Sequence, residues 1–147
     1  MALRIFISFA KEDVRYRDFL VGQARNHDVP FELADMSLQE LFDSKWKTRC
    51  REKIKRCHAF IALLSKKTWR ADGARWEMSC AAEEGIPSIG IHVHKDDKGA
   101  IPPELQGRVI NWHWDSIANF IVGDRCGLHC AWKLDFRELS VCVLESQ

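Results

Sequence analysis

A nearly uninterrupted apolar run in the middle of the chain, from His58 to Leu64, constrains the fold more than any other feature of the sequence. Its residues, His-Ala-Phe-Ile-Ala-Leu-Leu, do not alternate between apolar and polar, so both faces of the strand that they form must be buried. Such strands lie in the middle of parallel sheets that are covered by helices on both faces. The run therefore predicts an α/β protein with this strand at its centre.

Short strand-like runs and stretches with apolar residues at helical spacing alternate five times along the chain. Parallel strands are joined by crossovers of about a dozen or more residues, so this alternation predicts a flavodoxin-like, doubly wound parallel sheet of about five strands. Pro30 places the second strand near a sheet edge. The predicted strands are Arg4–Phe9, Val29–Ala34, His58–Leu64, Pro87–Val93 and Arg108–Trp112. The predicted helices are Asp13–Arg25, a stretch from Asp35 to Cys57, Gly73–Glu84 with Asp72 as N-cap, and Trp114–Ile121.

Length and charge limit the number of domains and the classes of partner. A chain of 147 residues forms about one domain, which we place at residues 1–121, with an extension of unassigned role over 122–147 expected to pack on it. The chain has 22 Lys and Arg residues and 21 Asp and Glu residues. The excess of positive charge that drives nucleic-acid binding is therefore absent. No apolar run approaches the roughly 18 residues of a membrane span. Lys11, Glu12 and Asp13 interrupt any signal-peptide core, which predicts a cytoplasmic location.

The six cysteines are predicted to be reduced, since nothing in the chain resembles a short, Cys-dense secreted framework. Cys50, Ile54 and Cys57 share one helical stripe, which indicates core packing. The group Cys126, His129 and Cys130 is the one cluster with metal-ligand character, and it falls short of the four ligands of a zinc site. We therefore predict no metal.

A basic stripe covers the outer side of the helix that precedes the central strand. It is compatible with two interpretations, a solvated helix face or a binding surface for an anion or an acidic partner. The stripe consists of Lys45, Lys47, Arg49, Arg51, Lys53, Lys55 and Arg56.

Ligands of open parallel sheets bind outside the carboxyl ends of the strands. The sequence has no Gly-x-Gly-x-x-Gly after the first strand, no Gly-Lys-Ser/Thr and no Gly-x-Ser-x-Gly, which argues against a Rossmann dehydrogenase, a P-loop NTPase and a nucleophile-elbow hydrolase. Trp46, Trp69 and Trp76 fall near this edge. Their flat rings suit a purine or pyridine ring, although tryptophan is also a common core residue.

Five segments in unbroken order over residues 3 to 121 resemble the TIR-like domains of prokaryotes, and most closely those of Thoeris anti-phage systems. They are Arg4-Ile-Phe-Ile-Ser-Phe-Ala-Lys-Glu-Asp, Ala34-Asp35-Met36-Ser37-Leu38, Ala59-Phe60-Ile61-Ala62-Leu63-Leu64-Ser65, Thr68-Trp69 with Ala74-Arg75-Trp76-Glu77-Met78, and Gly85-Ile86-Pro87-Ser88-Ile89-Gly90-Ile91-His92-Val93.

The resemblance implies an enzyme that consumes NAD by cleaving the bond between nicotinamide and ribose, with NAD as substrate and no further cofactor. The ADP-ribosyl group is released, cyclised or conjugated as an immune signal that a downstream effector senses. The family's catalytic glutamate corresponds to Glu77, which we expect to be partly exposed. Members of the family commonly complete their pocket with a neighbour's loop after the second strand, here Asp35–Glu40, which implies self-association. The implied substrate-binding residues are Phe6, Ser8, Phe9, Asp35 and Ser37, to which we add Trp46, Trp69 and Trp76.

One carboxylate suffices for this chemistry, because nicotinamide leaves as a neutral base and needs no general acid. The alternative for Glu77 is an ordinary solvated helix carboxylate. The alternative for the whole protein is a non-catalytic interaction module of the same fold. A phosphorelay receiver is disfavoured, because the central strand ends Leu63-Leu64-Ser65 without a phosphoacceptor Asp.

Overall fold

The computed structural model describes residues 3–27, 31–34, 45–96 and 98–123. The start of the predicted second strand, the first part of the predicted helix from Asp35, and the predicted extension from residue 124 onward lie outside these ranges. The strands are β1 (Leu3–Ser8), β2 (Phe31–Ala34), β3 (Ala59–Leu64), β4 (Ser88–His92) and β5 (Val109–Asn111). The helices are α1 (Val14–Asn26), α2 (Trp46–Lys55), α3 (Asp72–Glu83) and α4 (Trp114–Gly123).

The five strands form one sheet in the order β2-β1-β3-β4-β5, and every neighbouring pair is parallel. This is the flavodoxin-like order, so the predicted doubly wound fold is confirmed. β3 lies in the centre and β2 at an edge, as predicted. The chain reverses direction along the sheet after β2, and right-handed crossovers therefore place α1 on one face and α2 and α3 on the other.

The core under α2 and α3 explains why β3 has no polar residue. All six residues of β3 are buried; Phe60, Ala62 and Leu64 pack with Phe6 of β1 against the two helices. The predicted stripe of Cys50, Ile54 and Cys57 is confirmed as buried in the same core. His58 is exposed and precedes the strand, where its Nδ1 accepts a hydrogen bond of 3.0 Å from the backbone nitrogen of Arg4. Residues that alternate with these, such as Ile5 and Ile61, are buried on the opposite face.

Two predicted helix starts are wrong by one residue, since α1 begins at Val14 rather than Asp13 and α3 begins at Asp72 rather than Gly73. Ala71, with extended backbone, is the N-cap of α3, and Asp72 is the first helical residue rather than the cap. Its carboxylate still lies in the first turn, where it interacts favourably with the helix dipole. Three short 3₁₀ helices, each a single turn, comprise Lys11–Asp13, Thr68–Arg70 and Pro103–Leu105.

The chain divides into two compact units, Met1–Asn111 and Trp112–Gln147. The first contains the sheet with α1 to α3, and the second contains α4. None of the described helices is long and apolar enough to span a membrane.

Candidate functional site

A pocket of about 810 Å³ opens at the carboxyl edge of the sheet, within the first unit. Three loops build it: the one after β1, the one after β3, and the one after β4 that includes Gly99 and Ala100. The first turn of α3 closes the remaining side. This is the edge at which parallel sheets bind ligands. The lining residues are Ile7, Phe9, Ala10, Lys11, Glu12, Lys66, Lys67, Trp69, Arg70, Ala71, Asp72, Gly73, Ala74, Glu77, Gly99 and Ala100.

Glu77 lines this pocket from the second turn of α3, but it is more buried than expected. Only 6% of the residue is exposed, so the expectation of a partly exposed or solvated carboxylate is wrong. Ser8, at the end of β1, donates a hydrogen bond of 2.7 Å from its Oγ to Oε1 of Glu77. The Sγ of Cys50 on α2 lies 3.6 Å from Oε2 and donates to it. Packing of α3 against β1 and α2 therefore brings a donor to each oxygen of the carboxylate.

The Cys50 thiol remains protonated in this environment. Burial raises its pKa, and the negative charge of Glu77 and the hydrogen bond to Glu77 raise it further. A thiol of this kind is a donor rather than a nucleophile. Ser8 is completely buried, and its hydroxyl also lies 3.3 Å from the carbonyl oxygen of Ala74. Ser8 and Cys50 thus hold Glu77 in place at the base of the pocket.

A second buried network joins the loops after β1 and β3. Ser65, directly after β3, donates a hydrogen bond of 2.6 Å to Oδ2 of Asp13. The same hydroxyl accepts a bond of 3.0 Å from the backbone nitrogen of Lys67, and the backbone nitrogen of Ser65 donates 2.9 Å to Oγ1 of Thr68. These contacts fix two walls of the pocket to each other. Sequence reasoning missed this network, although Asp13 and Ser65 both follow strand ends.

Two of the predicted aromatic residues line the pocket. Phe9 is half-buried, and the guanidinium of Arg17 lies 5.5 Å from its ring centroid. Trp69 is 46% exposed, and the guanidinium of Arg75 lies 4.5 Å from its ring centroid. Both residues thus contribute an aromatic side chain to the lining, and each ring carries an arginine over one face.

The other predicted aromatic residues are elsewhere. Phe6 is completely buried and stacks on Phe60 with 5.5 Å between ring centroids, so it is a core residue. Trp46 and Trp76 pack on each other at 5.3 Å and are not among the lining residues. Asp35 and Ser37 lie outside the described residues.

Basic residues that the sequence analysis did not single out also line the pocket. Four positive side chains and three carboxylates line the pocket. The positive side chains suit anionic groups of a ligand, and the carboxylates suit a positively charged part of the same ligand. Lys66 and Lys67 follow Ser65 in the loop after β3, and this position after a strand end was the signal that could have identified them. The positive residues are Lys11, Lys66, Lys67 and Arg70, and the carboxylates are Glu12, Asp72 and Glu77.

Part of the basic stripe on α2 is engaged within the protein. Arg51 forms an ion pair of 2.8 Å with Glu83 and a second one with Glu84, and its guanidinium lies 5.6 Å from the ring centroid of Trp76. Lys47 lies 5.7 Å from the same ring. These contacts join α2 to α3 and favour a structural role for this part of the stripe.

The sheet order and the position of the pocket define a flavodoxin-like α/β domain. The crystal structure of a prokaryotic SEFIR domain shares the fold with a TM-score of 0.50 and 12% identity, over 97% of this chain and 92% of that one. A diflavin flavoprotein A3 from Nostoc sp. shares it with a TM-score of 0.50 and 14% identity, over 76% of this chain and 79% of that one. At these identities the likeness concerns the fold alone.

The chain belongs to the TIR-like domain family of the Thoeris protein ThsB, whose family model matches residues 6–98. The match includes the end of β1 with Ser8, all of β3, and the part of α3 that carries Glu77. The resemblance found in the sequence is thereby confirmed. No curated protein matches the chain.

Proposed function

We propose that this TIR-type protein is an enzyme that consumes NAD, cleaving the bond between nicotinamide and ribose to make an ADP-ribose-derived signal, cyclic or conjugated, in anti-phage immunity. The observation that carries the proposal is the carboxylate of Glu77 in the wall of the pocket, with Ser8 and Cys50 donating to its two oxygens. A buried carboxylate in fixed geometry is suited to stabilising positive charge that develops in a transition state.

The chemistry needs one anion and no additional cofactor. The bond between C1′ and the nicotinamide nitrogen breaks with its electron pair going to nitrogen, so a cationic pyridinium becomes a neutral leaving group. The positive charge then resides on the ribose, and Glu77 stabilises it. Water adds at C1′ and releases a proton to give ADP-ribose, whereas an internal or acceptor nucleophile gives the cyclic or conjugated product. The positive side chains of Lys11, Lys66 and Lys67 in the pocket suit the two phosphates of the substrate.

One observation favours a second candidate, a non-catalytic TIR-type interaction module. Glu77 is 6% exposed, and a carboxylate with donors on both oxygens also satisfies the ordinary requirement that buried charges be paired. In that case Glu77 joins β1, α2 and α3 and has no substrate. The two candidates differ in whether the wild-type protein releases nicotinamide from NAD, and the role of Glu77 in that reaction is then tested by removing its charge.

The test is release of nicotinamide from NAD by the full chain, followed by chromatography, for wild type, Glu77→Gln and Glu83→Gln. Glu77→Gln should lower the rate roughly 100- to 1,000-fold, as loss of one such electrostatic contact commonly does. Glu83, at the distal end of the same helix, is the control for removing a carboxylate from α3 and should leave the rate near that of wild type. Thermal unfolding of each variant separates inactivity from misfolding. Equal turnover by folded Glu77→Gln and wild type would contradict the site assignment.

The proposal extends to partners. The loop over Asp35–Glu40 would complete the pocket of a neighbouring copy, and a downstream effector would sense the nucleotide product. We propose that the protein acts in the cytoplasm without nucleic acid or membrane.

A further inference from the structure

The side chain of Arg75 connects three segments around the pocket. Its Nε lies 3.1 Å from Oε1 of Glu104, and its Nη2 lies 3.1 Å from Oε2, so the two charged groups meet in a bidentate pair. Its Nη1 donates a hydrogen bond of 3.3 Å to the carbonyl oxygen of Trp69. Its guanidinium also lies over the indole ring of Trp69 at 4.5 Å. Arg75 therefore holds both the backbone and the ring of Trp69.

The pair has a rigid support on the side away from Trp69. Glu104 lies in the helical turn Pro103–Leu105, and Leu105 is completely buried in the core under α2 and α3. The side chains of Arg75 and Glu104 are only 24% and 23% exposed, respectively. Bidentate geometry orients an arginine as well as attracting it, because two parallel hydrogen bonds, here from Nε and Nη2, fix the plane of the guanidinium relative to the carboxylate. The chain of contacts thus runs from the buried core through Glu104 and Arg75 to the ring of Trp69.

Trp69 is about half exposed, so a contact that orients its ring matters for the shape of the pocket wall. The residue is 46% exposed and lies in a single helical turn, Thr68–Arg70, whose N-cap has no side-chain hydrogen bond. An unsupported tryptophan at such a site samples several rotamers, and ordering it on ligand binding costs free energy. With Arg75 covering one face of the ring, the surface left for a ligand is the opposite face and the edge.

We infer that Arg75, anchored by Glu104, is a positioning residue that fixes Trp69 as a stacking wall for a planar ring of the ligand in the pocket. The inference rests on the proposed function for one point, the identity of the ligand, which we take to be a nucleotide. Arg75 does not belong to the pocket lining, and neither does Glu104. Their contribution therefore passes through Trp69, which distinguishes them from the catalytic carboxylate Glu77.

The protein contains a matched control for this arrangement. Arg51 likewise pairs with carboxylates, those of Glu83 and Glu84, and likewise lies over a tryptophan ring, that of Trp76. Trp76, however, is not one of the lining residues. Arg51→Met therefore removes the same kinds of interaction as Arg75→Met while leaving the pocket wall intact.

The test uses the full chain labelled with 5-fluorotryptophan, in which each of the six tryptophans gives one fluorine resonance and Trp69→Phe identifies that of Trp69. Arg75→Met should shift or broaden the Trp69 resonance and raise KM for NAD about 3- to 10-fold with kcat little changed, because one supporting contact of the binding wall is lost. Arg75→Lys, which keeps the charge without the flat fork, should be intermediate. Arg51→Met should move the resonance of Trp76 and leave KM unchanged.

Three results would overturn the inference: an unmoved Trp69 resonance in Arg75→Met, an unchanged KM, or an equal rise of KM in Arg51→Met. If wild type cleaves no NAD, the proposed function fails, and the Trp69 resonance alone then decides whether Arg75 positions the ring. The two failures are therefore distinguishable.

Discussion

Ser8 donates a hydrogen bond of 2.7 Å to Glu77 across a sequence separation of 69 residues. The bond joins the carboxyl end of β1 to the second turn of α3, and both partners are buried. Ser8 was expected to bind substrate, and it contacts the expected catalytic residue instead. Its position also explains why a small hydroxyl residue follows the apolar run Ile5–Ile7 at the end of the strand.

The first prediction is that Ser8→Ala lowers NAD turnover about 10-fold with a smaller effect on KM, because Glu77 loses a donor that fixes its orientation. We expect the free energy of unfolding to fall by about 1–3 kcal/mol, the usual cost of removing the partner of a buried polar group. Steady-state kinetics and urea unfolding measure the two effects. Ser88→Ala is the control, since Ser88 is also buried and donates 2.9 Å to the carbonyl oxygen of Ile86 at the opposite end of the sheet. An unchanged kcat in Ser8→Ala would mean that this bond has no catalytic role.

The strand pattern predicted the fold because a strand that is buried on both faces has an uninterrupted apolar sequence, as β3 has. The run that ends at Leu64 could only be a central strand, and Pro30 indicated an edge. The resemblance singled out Glu77 as the expected catalytic residue, and spacing placed Cys50 on a buried stripe. Neither could show that Cys50 donates to Glu77, because that contact depends on how α2 packs against α3.

The contacts around the pocket were harder to predict, because they also depend on how distant segments of the chain pack together. Arg75 and Glu104 meet across 29 residues, and no local pattern marks either of them as part of a pair. Phe6 and Ser8 share one face of β1 by alternation, and sequence could not tell that neither side chain lines the pocket. The structure places Phe6 on Phe60 in the core and Ser8 against Glu77, whereas Ile7 and Phe9 line the pocket.

The second prediction concerns the thiols. Cys50, Cys57 and Cys80 are free and buried, and burial raises the pKa of Cys57 to about 11. Because the thiolate is the reactive form, these three should resist thiol reagents until the protein unfolds. Cys126, Cys130 and Cys142 in the C-terminal extension should react sooner. Labelling followed by peptide mass spectrometry, with and without urea, separates the two groups.

Two results would contradict that assignment. One is a disulfide between Cys50 and Cys57 in the presence of a reductant. The other is stoichiometric zinc on the purified protein that is lost when Cys126 and Cys130 are both replaced by Ser.

The third prediction concerns assembly. If the loop over Asp35–Glu40 completes the pocket of a neighbouring copy, self-association should be weak in the free protein and stronger with NAD bound, because substrate binding and assembly are then thermodynamically linked. Light scattering over a range of protein concentrations, with and without NAD, measures this. Leu38→Asp should abolish the increase, since burial of a charge at an interface is costly. A strictly monomeric protein that turns over NAD at full rate would refute the prediction.

The last prediction uses the ion pair between Arg75 and Glu104. Burial alone would raise the pKa of Glu104, but the hydrogen bonds from Arg75, a backbone hydrogen bond and the positive charge of Arg75 outweigh it and lower the pKa. A carboxyl whose pKa is lower in the folded protein contributes stability above its unfolded-state pKa, near 4.5, and that contribution is lost as the pH falls through the folded-state value. Glu104→Gln should therefore be less stable than wild type at pH 7, by about 1 kcal/mol or less for a pair at the protein surface. The difference should shrink as the pH falls below 4.5.

Urea unfolding of wild type and Glu104→Gln at pH 7 and at steps down to about pH 3 follows that difference through the range in which carboxyls titrate. Glu52→Gln supplies the baseline, because Glu52 is 56% exposed and its carboxylate lies 3.9 Å from Lys55. Arg75→Met should likewise differ from wild type less at low pH than at pH 7, and the difference should shrink at least as steeply, because Glu104 remains and burial then raises its pKa. A difference between wild type and Glu104→Gln that grows towards low pH would show that Arg75 does not stabilise the charged form of Glu104. In that case the support that we infer for Trp69 would have to come from the contacts of Arg75 with its ring and its carbonyl oxygen alone.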